Sequence, residues 1–524
     1  MREATTSTAA EEKVVLGTVD ALVDYAHSRL LLDPRDIDWM RNRLLEIFDA
    51  DMTRRAKAAV PGSTASDGAA SLDDTAMPAD GTMASDDAPS NAAAVFLDDD
   101  VIMGTLSAAP SRVQDIYDDV RAGAGNMAAM RWLYDYGVAN GYIKLAQLRR
   151  NVRFDGAGLV VTINTAKPEF KDMRKAARGN SVDGSFAQCT ICHANEGLAA
   201  RNKRTLRTVE VELGGRPWFW QFSPYGYFHQ HGICVNREHT PMHVDMSTFA
   251  DLLDFVNQFP DYFLGCNAAL PRIGGSVLAH DHYQGGGETM PMQRAAAWRR
   301  YRCPDADDAI LEIIDWPASA MRVRSRNRAE IVRICEHIRE GWANHDDAAL
   351  GIASHDAAGA AQSSLSPIAR LVPGEDGVPM YEMSLILRNN AVSGRYPLGV
   401  FHAHPEYFFV KQEPIGLIEA MGLFVLPGRL VGQLGALEDA LVAGDALPDG
   451  LAEFRLLWDE AHEALRPEGM AAAARRMDRD TVRMAVHDAL ADVCRRILGN
   501  IAVFPDHEEL GRFLEGLGFE PQDC

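Results

Sequence analysis

The chain runs to 524 residues with a formal net charge of −22, long enough for more than one core and acidic enough to make nucleic-acid backbones poor partners, because it repels their phosphates. Any phosphate handled here must therefore meet a local cationic pocket. Eight cysteines in so long a chain do not make a disulfide framework, and only Cys189 and Cys192 are spaced for metal or redox chemistry, which fits a reducing cytoplasm.

The opening stretch, Met1 to Glu12, is polar and has no apolar signal core, and no run approaches membrane-spanning length. A soluble, unexported protein without membrane contact is expected. Val15, Val19, Leu22, Val23, Ala26 and Leu30 recur at helical spacing, and Leu44, Leu45 and Phe48 follow Asp33-Pro34, which predicts two amphipathic helices. From about residue 56 to 94 the chain is Ala, Ser, Asp, Gly and Pro with almost no large apolar side chain. Such a stretch cannot bury enough surface to offset ordering entropy, so it reads as a disordered insertion in a helical amino-terminal region, 1–150. Ser354 to Ser366 has the same character and predicts a second surface loop.

Beyond Asn151 the apolar pattern switches to period two: Leu159, Val161 and Ile163, then Val209, Val211 and Leu213, with Gly214-Gly215 ahead of Trp218-Phe219-Trp220. An antiparallel sheet with a hairpin follows. Phe249, Leu252, Leu253 and Val256 return to helical spacing behind Ser247, a candidate N-cap, and further strands are predicted at Met383 to Leu387 and Gly399 to His402. Near the carboxy terminus Val486, Leu490, Val493 and Ile497 form one helical face, with Gly499 placed to end it. Strands and helices mix without strict βαβ alternation, so the fold class is α+β.

The most informative segment is Ile273 to Gly287, Ile-Gly-Gly-Ser-Val-Leu-Ala-His-Asp-His-Tyr-Gln-Gly-Gly-Gly. If extended, it projects His280, His282 and Gln284 to one side. Glycines let the backbone approach a ligand, and their N–H groups can hold phosphoryl oxygens. A neutral imidazole is a competent nucleophile toward phosphorus. A lone His-x-His is more often a metal site or a pair of solvated loop histidines; the glycines and Gln284 favour phosphoryl chemistry.

His280-Asp281-His282-Tyr283-Gln284 resembles the His-x-His-x-Gln signature of the galactose-1-phosphate uridylyltransferases, the transferase branch of the histidine triad superfamily. Cys189 to Gly197, Gln221 to Tyr225, Asn236-Arg-Glu-His239 and Glu413 to Glu419 are also similar to that family. Asp281, where better-known members carry proline, resembles the second, mainly bacterial class. The resemblance implies two histidine-triad-like antiparallel-sheet halves, a catalytic one at 151–305 and a carboxy-terminal one at 306–524 with a helical extension. It implies that His282 attacks the α-phosphorus of UDP-glucose and that galactose 1-phosphate then takes the uridylyl group, giving UDP-galactose by ping-pong kinetics. A departing sugar phosphate has a second pKa of about 6 and leaves without protonation, so Gln284, which donates a hydrogen bond but transfers no proton, suits a transferase. Asp281 and Tyr283 are expected on the opposite side of the strand.

Cys189-x-x-Cys192 lets two thiolates reach one tetrahedral ion, and His239 and His280 can complete a Cys2His2 set. The set resembles the zinc ligands of the first class, which implies a structural zinc; the alternative is ordinary buried thiols, with His229, His231 and His243 as other fourth ligands. No organic cofactor is expected. Phe401-His-Ala-His-Pro405 follows the predicted strand and places His402 and His404 together. The pair resembles the histidines of a second ion site, with Glu288 as a carboxylate candidate, or else supports the sugar phosphate alongside Lys411 or Arg429. Gly274, Gly275, Asn164, Lys167, Asn267 and Ser276 are candidates around the nucleotide, the last two resembling uridine diphosphate contacts. The family commonly dimerises, which makes a homodimer an expectation. Rival readings are another nucleotidyltransferase or phosphorylase of the superfamily, or a non-catalytic, zinc-stapled nucleotide-binding module.

Overall fold

The computed structural model describes residues 2–58, 95–165, 187–275, 277–374, 376–466 and 478–522. The chain forms two compact units: one of residues 1–119, 131–142 and 196–207, the other of 120–130, 143–195 and 208–524. In the first, α1 (Arg2–Arg29) buries Val19, Leu22, Val23 and Ala26, with Leu30 buried just beyond it, and α2 (Ile37–Ala58) buries Leu44 and Phe48. Both predicted helices are therefore present with the predicted faces inward. Leu31, in the left-handed region at φ +65°, and Asp33, whose side chain accepts from the Arg35 N–H, reverse the chain between them. The proposed insertion from about 56 to 94 lies, beyond Ala58, outside the described residues. Asp99 caps α3 (Asp100–Leu106) by accepting from Val101 and Ile102 N–H, and α4 (Pro110–Ala124) and α5 (Asn126–Ala139) follow. No helix among the described residues is long and apolar enough to cross a membrane.

The second unit opens with the hairpin of β1 (Val152–Gly156) and β2 (Leu159–Asn164). All six residues of β2 are buried. Its other neighbour is not antiparallel, as the period-two pattern suggests, but the parallel β13 (Leu423–Pro427). A strand covered on both faces cannot show its partner's direction by alternation.

The large sheet grows from two five-strand sets with one topology. The first comprises β3 (Val209–Leu213), β4 (Arg216–Phe222), β5 (Gly232–Asn236), α6 (Met246–Gln258), β6 (Phe263–Gly265) and β7 (His282–Gly286). The second comprises β8 (Ala297–Arg302), β9 (Ile310–Ile314), β10 (Ala320–Ser325), α7 (Arg328–Ala343), β11 (Ser363–Pro373) and β12 (Pro379–Asn389). Each set places its fifth strand between its third and fourth, and β6 pairs with β11 to join them into one antiparallel sheet, edged at the far side by β14 (Glu520–Gln522). This is an α+β fold without a closed barrel among the described residues.

β3 shows the predicted alternation, and Gly214 and Gly215, at φ +56° and +72°, make the two-residue turn into β4. The helix after Ser247 is present, but Asp245 is its N-cap, accepting from the N–H groups of Ser247 and Thr248. Ser247 is a helical residue two places on. Of the predicted loop from Ser354 to Ser366, Ser363–Ser366 belong to β11, and Ser354 is buried. Small polar residues read as loop even where the sheet's interior accepts them. Gly399 to His402 forms no strand. Pro397 and Pro405 bracket it, Gly399 sits at φ +140°, and the Val400 N–H turns back to the Ala391 carbonyl. The carboxy-terminal helices are α8 (Arg429–Ala443), α9 (Arg455–Ala464), α10 (Arg479–Asn500) and α11 (His507–Gly516). In α10 the predicted face of Val486, Leu490, Val493 and Ile497 is fully buried, though Gly499 lies inside its last turn, with Ile501 as the C-cap.

Directly paired residues of a sheet project to the same face. One paired line crosses seven strands: Gln284, Gly265, Ile368, Ser384, Arg322, Glu312 and Arg300. On that face β7 carries His282 and Gln284. The topologically matching β12 carries Glu382, Ser384, Ile386 and Arg388, so only one half bears the histidine motif. In the other half, Glu312 accepts from Arg300 and Arg322 at 3.0 and 2.6 Å, and Glu382 accepts from Arg324 and Arg370 at 2.8 and 2.6 Å.

Candidate active site

β7 begins at His282, so His280 does not project from an extended strand as expected but stands in the bend before it. The two rings consequently serve different partners. The His280 ring is buried, and its Nε2 lies 2.8 Å from the Asn236 carbonyl. A carbonyl can only accept, so Nε2 carries the proton and Nδ1 presents its lone pair to the Sγ atoms of Cys189 and Cys192, at 3.2 and 3.6 Å. Burial holds the His280 pKa down at about 4. His282, 8% exposed, points Nδ1 at the carbonyl of His280, 2.7 Å away. The same logic puts its proton on Nδ1 and leaves a lone pair on Nε2. Burial also pushes the His282 pKa below the usual imidazole value, so the ring is neutral where a nucleophile needs it to be.

Gln284 is half-buried on the same face, two residues along. Tyr283 projects to the opposite face, as expected, stacking on Trp218 at 4.7 Å and donating to Asp251 of α6 at 3.3 Å. Asp281 is fully buried, with His243 Nδ1 3.9 Å from its carboxylate, and burial raises its pKa to about 6. Asn267 accepts the Leu417 N–H on Oδ1 at 2.9 Å. Gly274 and Gly275 fold back onto this position. A Cβ on Gly274 would lie 2.0 Å from the Ala268 carbonyl, and one on Gly275 would lie 3.0 Å from Asn267 Nδ2. Only glycine admits that approach. Ser276 and Lys167 lie outside the described residues, and Asn164 is buried at the end of β2 beside Pro427.

Cys189, Cys192, His239 and His280 converge as the sequence suggests, with one ligand atom from each within 4.8 Å of all the others. The donor set fits a tetrahedral thiolate-imidazole metal site. Two further features support the fit. His239 Nε2 is buried without a hydrogen-bond partner, and Asn195 Nδ2 ties the Cys-x-x-Cys turn by donating to the carbonyls of Cys189 and Cys192 at 2.8 and 2.9 Å. Burial pushes the Cys189 thiol up to about 11, a cost that a bound cation reverses by displacing the proton. The alternative ligands stand elsewhere. His231 packs against Tyr227 and Phe228, His243 faces Ser247 and Asp281, and the His229 N–H meets Glu288.

The carboxy-terminal histidine pair does not form a second metal group among the described residues. His402 is buried with Nδ1 3.0 Å from the Ala403 carbonyl, whereas His404 stacks on Tyr396 at 4.1 Å. The turn that replaces the predicted strand sends the rings to different surroundings. Glu288 instead forms an ion pair with Arg153. Arg429 is exposed at the start of α8, bonded to Gln433 and the Phe409 carbonyl. Lys411 is 3% exposed, and its ammonium contacts Glu419 at 2.5 Å, Glu413 at 3.2 Å and the Val425 carbonyl at 3.4 Å. Burial acts to lower its pKa, but the Glu419 and Glu413 carboxylates outweigh that and raise it. With three acceptors occupied, this lysine neutralises the Glu413 to Glu419 segment rather than waiting for a ligand. Lys411→Met is accordingly expected to destabilise the fold by about 3–5 kcal/mol by stranding buried carboxylates, read as a lower midpoint in denaturant unfolding. Two arginines that sequence reasoning passed over, Arg272 and Arg388, stand in this region without carboxylate partners among the described residues. The only hint of Arg388 was a charge closing the apolar run from Met383 to Leu387.

With this geometry in view, comparison with curated proteins finds close relatives. A galactose-1-phosphate uridylyltransferase of Bifidobacterium longum is 55% identical over 525 residues, covering 96% of this chain and 98% of the relative. Proteins of the same name from Clostridium acetobutylicum (37% identical, covering 66% of this chain and 69% of the relative) and Lactococcus lactis (33%, covering 78% and 80%) also match. No family model and no solved structure matches the chain.

Proposed function

The chain belongs to the galactose-1-phosphate uridylyltransferases, and from that membership we propose that it moves UMP between UDP-glucose and galactose 1-phosphate through a covalent adduct on His282. The observation that carries the role of His282 is the 2.7 Å bond from its Nδ1 to the His280 carbonyl. It turns Nε2 outward as a lone pair and supplies an acceptor for the ring proton as positive charge develops. Nε2 attacks the α-phosphorus; the bond to the bridging oxygen breaks, and glucose 1-phosphate departs with the electron pair. In the second displacement a phosphate oxygen of galactose 1-phosphate attacks the same phosphorus, the P–N bond breaks, and the imidazole returns to neutral as UDP-galactose forms. Two successive displacements at one phosphorus require ping-pong kinetics.

Gln284, beside His282 on the same face, is assigned to orient a phosphoryl oxygen. It has no proton to transfer, so a water molecule gains no acid–base help against the adduct. Gln284→His is expected to raise hydrolysis of UDP-glucose relative to transfer by roughly tenfold, a part of the about 10²–10⁴ that general acid–base catalysis contributes. UMP release without acceptor measures it, and release at the wild-type level would count against this role.

Asn267, Gly274 and Gly275 are assigned to the nucleotide side of the site. Cys189, Cys192, His239 and His280 would hold a zinc ion, which would supply a fixed crosslink rather than a Lewis acid for the phosphate. The direct test of the reaction is intact mass after mixing with UDP-glucose. One added uridylyl group is expected, with no adduct from ATP. Tight binding of UDP-glucose without any adduct would instead identify a nucleotide-binding module.

A further inference from the structure

An acidic chain that handles sugar phosphates has to gather positive charge where they bind, and Lys411 is already committed to Glu413 and Glu419. Arg388 and Arg272 are not committed in that way. Arg388, near the end of β12, is 1% exposed; its Nη2 donates to the Ile415 carbonyl at 2.9 Å, while Nε and Nη1 are buried with no hydrogen-bond partner. Its backbone is held by pairing with Ser364 and by the Trp342 indole N–H, which donates to its carbonyl at 3.0 Å. Arg272 is half-buried just ahead of Gly274 and adopts φ +64°, a strained conformation for such a side chain. Its Nη2 donates to the Asn390 carbonyl at 2.7 Å, and its Nε also lacks a partner.

Burial first, and then the charges of Arg388 and Arg272 among others, lower the pKa of the His402 imidazole below its ordinary value. Arg388 is so far withdrawn from solvent that burial lowers its pKa to about 10, against the pull of Glu419. Three buried guanidinium nitrogens without acceptors, on two arginines with no ion pair among the described residues, are strongly unfavourable unless an anion completes them.

The location ties this cluster to the reacting face. By strand alternation Arg388 projects to the same side of the sheet as His282 and Gln284, and β6 and β11 separate their strands. Arg388 and Asn267 also hold the same short segment, one through the Ile415 carbonyl and the other through the Leu417 N–H.

We propose that Arg272 and Arg388 form a phosphate-binding site on the His282 face of the sheet. That the phosphate belongs to the hexose 1-phosphate rests on the uridylyl-transfer reading; inorganic phosphate offers the same oxygens.

The test is calorimetry of the full chain with inorganic phosphate, galactose 1-phosphate and galactose, each alone. Wild-type protein is expected to bind both phosphates and not galactose. Arg272→Gln, at a half-buried position, and Arg388→Lys are each expected to weaken phosphate binding roughly 10- to 100-fold, the scale of a lost charge-assisted hydrogen bond. Loss for both ligands, or for galactose 1-phosphate alone, supports the site with the sugar phosphate as its source. Loss for inorganic phosphate alone supports the site and assigns it to the free ion. Unchanged affinity for both in Arg272→Gln with an unaltered melting midpoint overturns it. Uridylylation of the wild-type chain, read separately by intact mass, keeps the two readings apart. An adduct with phosphate binding insensitive to Arg272 sinks only this site, and phosphate binding lost in Arg272→Gln without any wild-type adduct sinks only the transfer mechanism.

Discussion

His282→Ala is expected to abolish uridylyl transfer, with kcat falling roughly 10⁴-fold or more, the scale on which removal of a covalent nucleophile acts. The neighbouring His280 cannot substitute. His280 has its Nδ1 turned to the sulfur atoms of Cys189 and Cys192 and its Nε2 on the Asn236 carbonyl, and Tyr283 and Asp281 serve the opposite face and the interior. The fold should survive, because the strand pairing of β7 with β5 and β6 is backbone only and unaffected by the change. The one side-chain bond lost is the one to the His280 carbonyl, a cost of about 1 kcal/mol. Intact mass with UDP-glucose checks the same point, since the variant should gain nothing while the wild-type chain gains a uridylyl group. Normal turnover by the alanine variant would end the case for this residue.

Breaking the proposed zinc site is the second large effect expected. Cys189→Ala should lose the zinc proposed there, measured by elemental analysis of the purified chain against the wild type, and lower the melting midpoint. It should also slow transfer by about 10–100-fold, although the residue does not touch the substrate. The route is mechanical. The ring of His280 is positioned between the sulfur atoms and the Asn236 carbonyl, and the carbonyl of the same residue orients His282. Loosening the ring loosens the acceptor that sets the tautomer of His282. A wild-type chain purified without metal, together with full activity and an unchanged midpoint in Cys189→Ala, would remove the centre from the account.

How much of this was legible beforehand depends on how far apart the interacting residues lie. The His282 to Gln284 spacing reads directly as two side chains on one face, because extended backbone alternates wherever it occurs. The same holds for the buried stripe of α1 and for the Gly214-Gly215 turn, where only residues that tolerate positive φ fit. The Cys189, Cys192, His239 and His280 set was legible as a set, since close spacing and family likeness named its members. Its geometry was not, because the direction in which His280 faces is decided by the Asn236 carbonyl on β5.

Other placements have the same cause. Lys411 looked like a cation available to a ligand until the fold brought Glu419 and Glu413 onto it and buried its ammonium. His402 and His404 looked like a pair until Gly399 and the flanking prolines turned the backbone and sent one ring into the interior and the other onto Tyr396. The parallel partner of β2 comes from far along the chain, and no local pattern announces it. The amino-acid sequence by itself determined the helical stripe of α1, the Gly214-Gly215 turn and the placing of His282 and Gln284 on one face, because these rest on backbone geometry within a few residues. The tertiary structure alone decided which charges are neutralised and which arginines are left wanting an anion, because burial and pairing are set by neighbours that chain order does not reveal.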